Sequence, residues 1–133
     1  MLLSIIRVIH LLAAATWTGG MLTLAFLVVA LRKAGASREQ LQAAARMFGW
    51  VSWTAMAVAI ATGLTQVVLM RLPWTYGRLH LKIGVVAVAV TIAGIHQLTA
   101  KRTSPAMRGA LQGVLLLVGM AIFVAAVALG GGF

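Results

Sequence analysis

The sequence predicts an all-α protein, a four-helix transmembrane bundle, and three observations predict it. Four apolar stretches, about Val8–Leu31, Ala43–Met70, Leu79–Thr99 and Met107–Gly130, take up most of the 133 residues. Each supplies the roughly 20 apolar residues that a helix needs to cross a hydrocarbon core about 30 Å thick. The runs are continuous rather than alternating, and far longer than a barrel strand of about 10 residues. In lipid the backbone must satisfy its own hydrogen bonds, so such runs are helical. Finally, the chain is 62% hydrophobic and holds one acid, Glu39, against eleven Lys and Arg. So few charges cannot solvate a soluble domain of this composition, but they suffice to cap the ends of membrane helices.

The expected elements are helices over about 3–31, 41–71, 77–100 and 106–130 of a single domain, 1–133. Met1 to Ala15 has the Arg, apolar core and alanines of a signal peptide. The apolar run continues to Leu31, however, and ends in Arg32 and Lys33, so it is read as a retained helix. Gly35 is a natural helix stop, and Ser37 can cap the second helix. The second connection, Leu72 to Gly77, carries Trp74 and Tyr76, whose amphipathic rings suit a membrane–water boundary. In the third, Lys101 to Arg108, Pro105 suits a first helical turn. The tail Gly130-Gly131-Gly132-Phe133 is expected to fray. Short connections give an up-down-up-down bundle. Glycines along the spans, Gly20 and Gly63 among them, let helix backbones approach closely.

Charge sets the expected orientation. Arg32, Lys33, Arg38 and Arg46 surround the first connection, and Lys101, Arg102 and Arg108 the third. The side that holds these seven of eleven cations is the cytoplasmic one by the positive-inside rule, which leaves both termini extracytoplasmic. The excess of +10 is thereby assigned to lipid and topology, not to nucleic acid. The expected location is a bacterial cytoplasmic (inner) membrane.

Composition removes several chemistries. Without cysteine there are no disulfides, thiolate metal sites, iron–sulfur clusters or covalently attached haem. With Glu39 alone on a loop, acid-dependent triads, paired carboxylates and carboxylate proton relays lack their acid. The ionisable groups left within the spans are three histidines and one lysine, and such groups usually face the bundle interior or a wet cavity. His10 enters from the outer end of the first helix and His80 from the same end of the third, so the two imidazoles lie at similar depths. Neutral imidazoles can bind a metal or ligate haem iron. His96 lies about 24 Å along the third helix from His80, too far to share a centre with it. Lys82 and His96 fall within about 40° of one another around the helix, while His80 and Lys82 are about 200° apart. Arg78 joins the Lys82/His96 face. Arg7, His10, Ala14 and Trp17 make one stripe on the first helix. Met70, near the outer end of the second helix, is the methionine best placed beside His10 and His80, and soft thioethers suit Cu(I). Each of these residues also has a structural reading: hydrogen-bonded histidines, a snorkelling lysine and a gap-filling methionine.

His10-Leu-Leu-Ala-Ala-Ala-Thr-Trp17-Thr-Gly19-Gly20, with Ala61-Thr62-Gly63-Leu64 and Tyr76-Gly77-Arg78-Leu79 followed by Lys82, resembles the CopD family of bacterial copper-resistance membrane proteins. That resemblance covers most of the chain and implies a four-helix copper-handling domain that binds copper or helps move it across the inner membrane. By match, His10, Trp17, Tyr76, Arg78 and Lys82 carry over, and His80 and His96 are additional to the pattern. Larger family members have extra helices. His10 before Trp17, and His80-Leu81-Lys82 entering the third helix, are also similar to HemJ-type four-helix proteins, which bind b-type haem and act in protoporphyrinogen oxidation. This implies His10 and His80 as axial ligands. The Pro-Arg and Tyr-His features at the end of that family's first helix are missing here.

Two cofactor expectations follow. In the first, copper is held by His10, His80 and Met70, with a homodimer or a copper-chaperone or redox partner. In the second, haem b takes His10 and His80 on the iron, with propionates on the cationic rim of Arg7, Arg71, Arg78 and Lys82 and with Arg78 or Lys82 outside. An enzyme is expected only in the second case, as a haem-dependent membrane oxidoreductase. A purely structural bundle is the third reading.

Overall fold

The structure is a computed structural model and describes residues 1–129. Four helices follow in order: α1 (Leu2–Lys33), α2 (Arg38–Leu69), α3 (Gly77–Thr99) and α4 (Pro105–Leu129), with no strand among the described residues. All four are long and apolar enough to cross a membrane. The expected boundaries are met to within about three residues. The tail expected to fray, and Gly130 at the expected end of the fourth helix, lie outside the described residues.

The connections are built by local chemistry. After α1, Gly35 takes a φ of +81°. Its N–H reaches the Arg32 carbonyl, and the Ala36 N–H reaches that of Leu31. This pair of bonds satisfies the last carbonyls of the helix, and a glycine at that position takes the left-handed conformation without a Cβ penalty. Ser37 then opens α2 with a reciprocal cap. Its Oγ accepts from the Gln40 N–H at 3.2 Å, while Gln40 Oε1 accepts from the Ser37 N–H at 2.8 Å. Two charged ends are thus joined by a few residues whose caps partner several of the terminal backbone groups.

The same motif closes α2, but without glycine. The Arg71 N–H reaches the Val68 carbonyl and the Leu72 N–H that of Val67, with Arg71 itself at φ +51°. Pro73 follows directly and prevents continuation of the helix. At the start of α4, Ser104 Oγ accepts from the Met107 N–H at 3.2 Å, and Pro105 occupies the first helical position.

The chain forms two compact units, Met1–Leu72 and Pro73–Phe133. In the first, α1 packs antiparallel against α2. Its seam runs along Ala13, Trp17 and Met21 of α1, spaced four apart, and along Ala55, Met56 and Val67 of α2. Gly20 lies under the Phe48 ring, where an added Cβ would stand 2.9 Å from Cε2. In the second unit α3 packs against α4 around Leu79, Ala89 and Leu115.

Large apolar side chains also cover the outward faces, among them Phe26, Trp50, Val68, Leu98 and Val127. That is the pattern of helices whose solvent is hydrocarbon, where inside and outside are both apolar. Threonines within the spans hide their hydroxyls against their own helix. Thr23, Thr54, Thr65, Thr91 and Thr99 each donate to the carbonyl four residues back.

Candidate functional site

The first unit builds its polar site from one stripe of α1 and the last third of α2. Steps of three and four place Arg7, His10, Ala14 and Trp17 on the α2-facing side of α1. Trp17 is buried and His10 half-buried. Across the seam, His10 Nδ1 lies 2.8 Å from the Ala59 carbonyl oxygen and 3.1 Å from Thr62 Oγ1. The Thr62 hydroxyl donates its own proton at 2.6 Å to the Val58 carbonyl. Both oxygens facing Nδ1 are therefore acceptors, and Nδ1 must be the donor. The imidazole therefore carries a proton on Nδ1.

Gly63 makes this approach possible. A Cβ at that position would stand 3.2 Å from His10 Cε1, tighter than side chains ordinarily pack, and 3.6 Å from Nδ1. The platform under the imidazole is therefore Ala59, Thr62 and Gly63: a carbonyl, a hydroxyl and a missing side chain. His10 and the Thr62-Gly63 pair, which lie in two separate motifs of the sequence, meet at one point. Nothing in the sequence marked Ala59, because its contribution is a backbone carbonyl.

An imidazole whose Nδ1–H is fixed on a backbone carbonyl is the usual arrangement of a metal-bound histidine. The hydrogen bond fixes the ring's orientation and raises the basicity of the other nitrogen. One turn closer to the N-terminus, Arg7 Nη2 donates to the Met70 thioether at 3.7 Å. Met70 lies about 10 Å further along α2 than Gly63, by the helical rise. The structure thus pairs Met70 with Arg7, one level out from His10.

In the second unit the expected residues spread over two faces. Ala89, which is 1% exposed, marks the side of α3 turned to α4. Arg78, Lys82 and His96 share that side by helical phase, within about 20° of Ala89. His80, about 180° from Ala89 by the same phase, is exposed and reaches the edge of an open apolar groove with Gly84, Val88, Val118 and Ala121. Tyr76 precedes the first turn of α3, and its carbonyl accepts from the N–H groups of Leu79 and His80. Arg78 and Lys82 add two cations to a helix N-terminus with no acid in its first turn, which is an anion-favouring end. His96 is half-buried near the other end of α3, within electrostatic reach of Arg108.

Among the described residues, no three His, Cys, Asp or Glu side chains gather as a metal cluster. The donor set that geometry does offer is one oriented imidazole in an apolar hairpin, with a guanidinium one turn away. Compared with protein-family models, with curated proteins and with solved structures, the chain matches none.

Proposed function

We propose that the chain is a bacterial inner-membrane protein that binds a b-type haem through Nε2 of His10. The observation that carries this reading is the 2.8 Å contact between His10 Nδ1 and the Ala59 carbonyl. It fixes the direction of the imidazole ring, which is what an iron-bound histidine requires. The surroundings suit the group. Buried Ala13 and Trp17 line the hairpin seam on the inward side of the imidazole, and Arg7, one turn outward, offers a guanidinium to a propionate. A single protein ligand can hold haem iron, whereas a Cu(I) ion needs a second soft donor.

When bound, haem supplies reversible one-electron chemistry. The chain's own part is to hold the Nδ1–H tautomer, keep the ring against Gly63, exclude water with the apolar seam and neutralise an acidic substituent with Arg7. The best-supported role is electron transfer. The HemJ-like oxidation of protoporphyrinogen is its enzymatic extension.

Copper handling of the CopD-like kind is the second reading, favoured by the Met70 thioether in the same hairpin as His10. Release of Arg7 from Met70 would leave one neutral nitrogen and one thioether donor for copper as cargo. The two readings separate on one sample of purified protein. Haem gives a Soret band with sharpened α and β bands after dithionite, lost in His10→Ala. Copper gives a colourless protein with stoichiometric metal, lost in His10→Ala and in Met70→Leu.

A further inference from the structure

The two helices of the first hairpin change from apolar to polar at different heights. Gly20 meets Phe48 and His10 meets Ala59, which fixes the antiparallel register of α1 against α2. In that register Phe26 stands level with Gln42 and Ala43, and Leu22–Leu31 of α1 runs beside Arg38–Arg46 of α2. The α1 stretch carries no charge. The α2 stretch carries Arg38, Glu39, Gln40, Gln42 and Arg46. At 1.5 Å per residue the mismatch extends over about 13 Å of axis.

Exposure and helical phase give the direction of these side chains. Phe26 is 71% exposed and lies nine residues from the buried Trp17, on the opposite side of α1. Exposed Leu22 and Val29 flank it, so the outward face of α1 stays apolar along this stretch. On α2, Arg46, Trp50 and Trp53 follow at steps of four and three and form one stripe turned away from Ala59 and the seam. All three are exposed, Trp50 by 78%. Exposed Glu39, seven residues before Arg46, continues that stripe outward.

No upright placement of this hairpin in a bilayer suits both faces. With the hydrocarbon boundary at Arg46, Phe26 and Val29 stand in water. With the boundary at Leu31, Glu39 and Arg46 are drawn into hydrocarbon, where charged side chains are costly. Inclining the hairpin with its α1 side toward the membrane removes the conflict. The outward face of α1 then stays among acyl chains, and that of α2 lies in the headgroup layer. Trp50 and Trp53 beside Arg46 mark this layer on α2, because tryptophan rings settle at the membrane–water boundary. Charge selects lipid over a second copy of the chain as the cover. Arg32, Lys33, Arg38 and Arg46 crowd this end against Glu39 alone, so two copies repel here, whereas lipid phosphates are complementary.

We propose that the end of the α1–α2 hairpin from Leu22 to Trp50 is an amphipathic membrane-surface element. It lies obliquely in one leaflet, with Leu22, Phe26 and Val29 in the acyl chains and Arg46 and Trp50 among the phosphate-bearing headgroups. This rests on the hairpin crossing a bilayer and is independent of what His10 binds.

The test uses the full chain, which has no cysteine of its own. Phe26→Cys and Ala43→Cys, at one level on opposite outward faces, each carry a nitroxide label in nanodiscs of phosphatidylcholine and phosphatidylglycerol. Depth is read by power saturation against oxygen, which concentrates among acyl chains, and against a water-soluble nickel chelate. Helices packed about 8–10 Å apart, each about 10–12 Å across, hold the two labels about 20 Å from one another. A tilt of about 30°, within the range of membrane helices, should set the Phe26 label about 10 Å deeper than the Ala43 label. Arg46→Leu, which lengthens the apolar face of α2, should shrink that difference. Equal depths would overturn the proposal, and so would a difference unchanged in Arg46→Leu. A Phe26 label immobilised and shielded from both reagents would also overturn it, by placing protein on that face. Chelate access to both labels would overturn it too. A third label at Leu12→Cys, in mid-helix, then decides the cause. Oxygen access there leaves the crossing intact, and chelate access removes the crossing itself.

Discussion

His10 shows how much a single residue depends on atoms that the sequence does not advertise. Its tautomer is decided by the Ala59 carbonyl, its room by the hydrogen of Gly63, and its neighbour Thr62 has already given its proton to Val58. Gly63→Ala should therefore displace the ring and weaken metal binding by about 10–100-fold, the usual cost of disturbing a ligand's supporting contacts. Thr62→Val leaves the carbonyl in place and should cost less; titration of the apo-protein with hemin ranks the two. Arg71 is a different kind of residue-scale feature. At φ +51° its Cβ crowds the backbone, so Arg71→Gly should raise stability by about 1 kcal/mol, read from denaturant unfolding in detergent. Ser37→Ala should lower it by a similar amount, about 1 kcal/mol, through loss of the α2 cap.

At the scale of elements, each pair of helices is joined by a short connection whose stop and start signals are local. Those signals were legible: Gly35, Ser37 and Pro105 act where their chemistry suggests, and the apolar runs end within a few residues of the helices. Partnership across a seam was not legible, because small-residue apolar helices offer several registers of similar energy. The pairing of His10 with Ala59, Thr62 and Gly63, and of Arg7 with Met70, depends on one such register. The expected grouping of Met70 with His10 came from depth alone, and Arg7 now accounts for that thioether. Helical phase gave the shared face of Arg78, Lys82 and His96. Only the burial of Ala89 says that this face turns to α4. The α1–α2 register itself is testable at Gly20. Gly20→Ala should cost about 1–3 kcal/mol against the Phe48 ring, and pairing it with Phe48→Ala should show coupling of about 0.5–3 kcal/mol in a double-mutant cycle.

At the scale of the whole molecule, four helices are each long and apolar enough to cross a membrane, and four successive crossings would put the first and third connections on one side and the second on the other. The chain has no cysteine, so single-cysteine variants report sidedness without background. Ala36→Cys and Thr103→Cys should be labelled by an impermeant maleimide from the same side, the cytoplasmic one by charge, and Thr75→Cys from the opposite side. The central claim, however, is that this frame exists to hold a metal-bound imidazole. Its most direct test is the absorption spectrum of the purified protein, before and after dithionite, for the parent and His10→Ala. The account predicts a Soret band near the usual b-type position in the parent, with sharp reduced α and β bands, and its disappearance in a variant that remains folded. A parent without a haem spectrum, or a variant that keeps it, would contradict the assignment of His10 as the iron ligand.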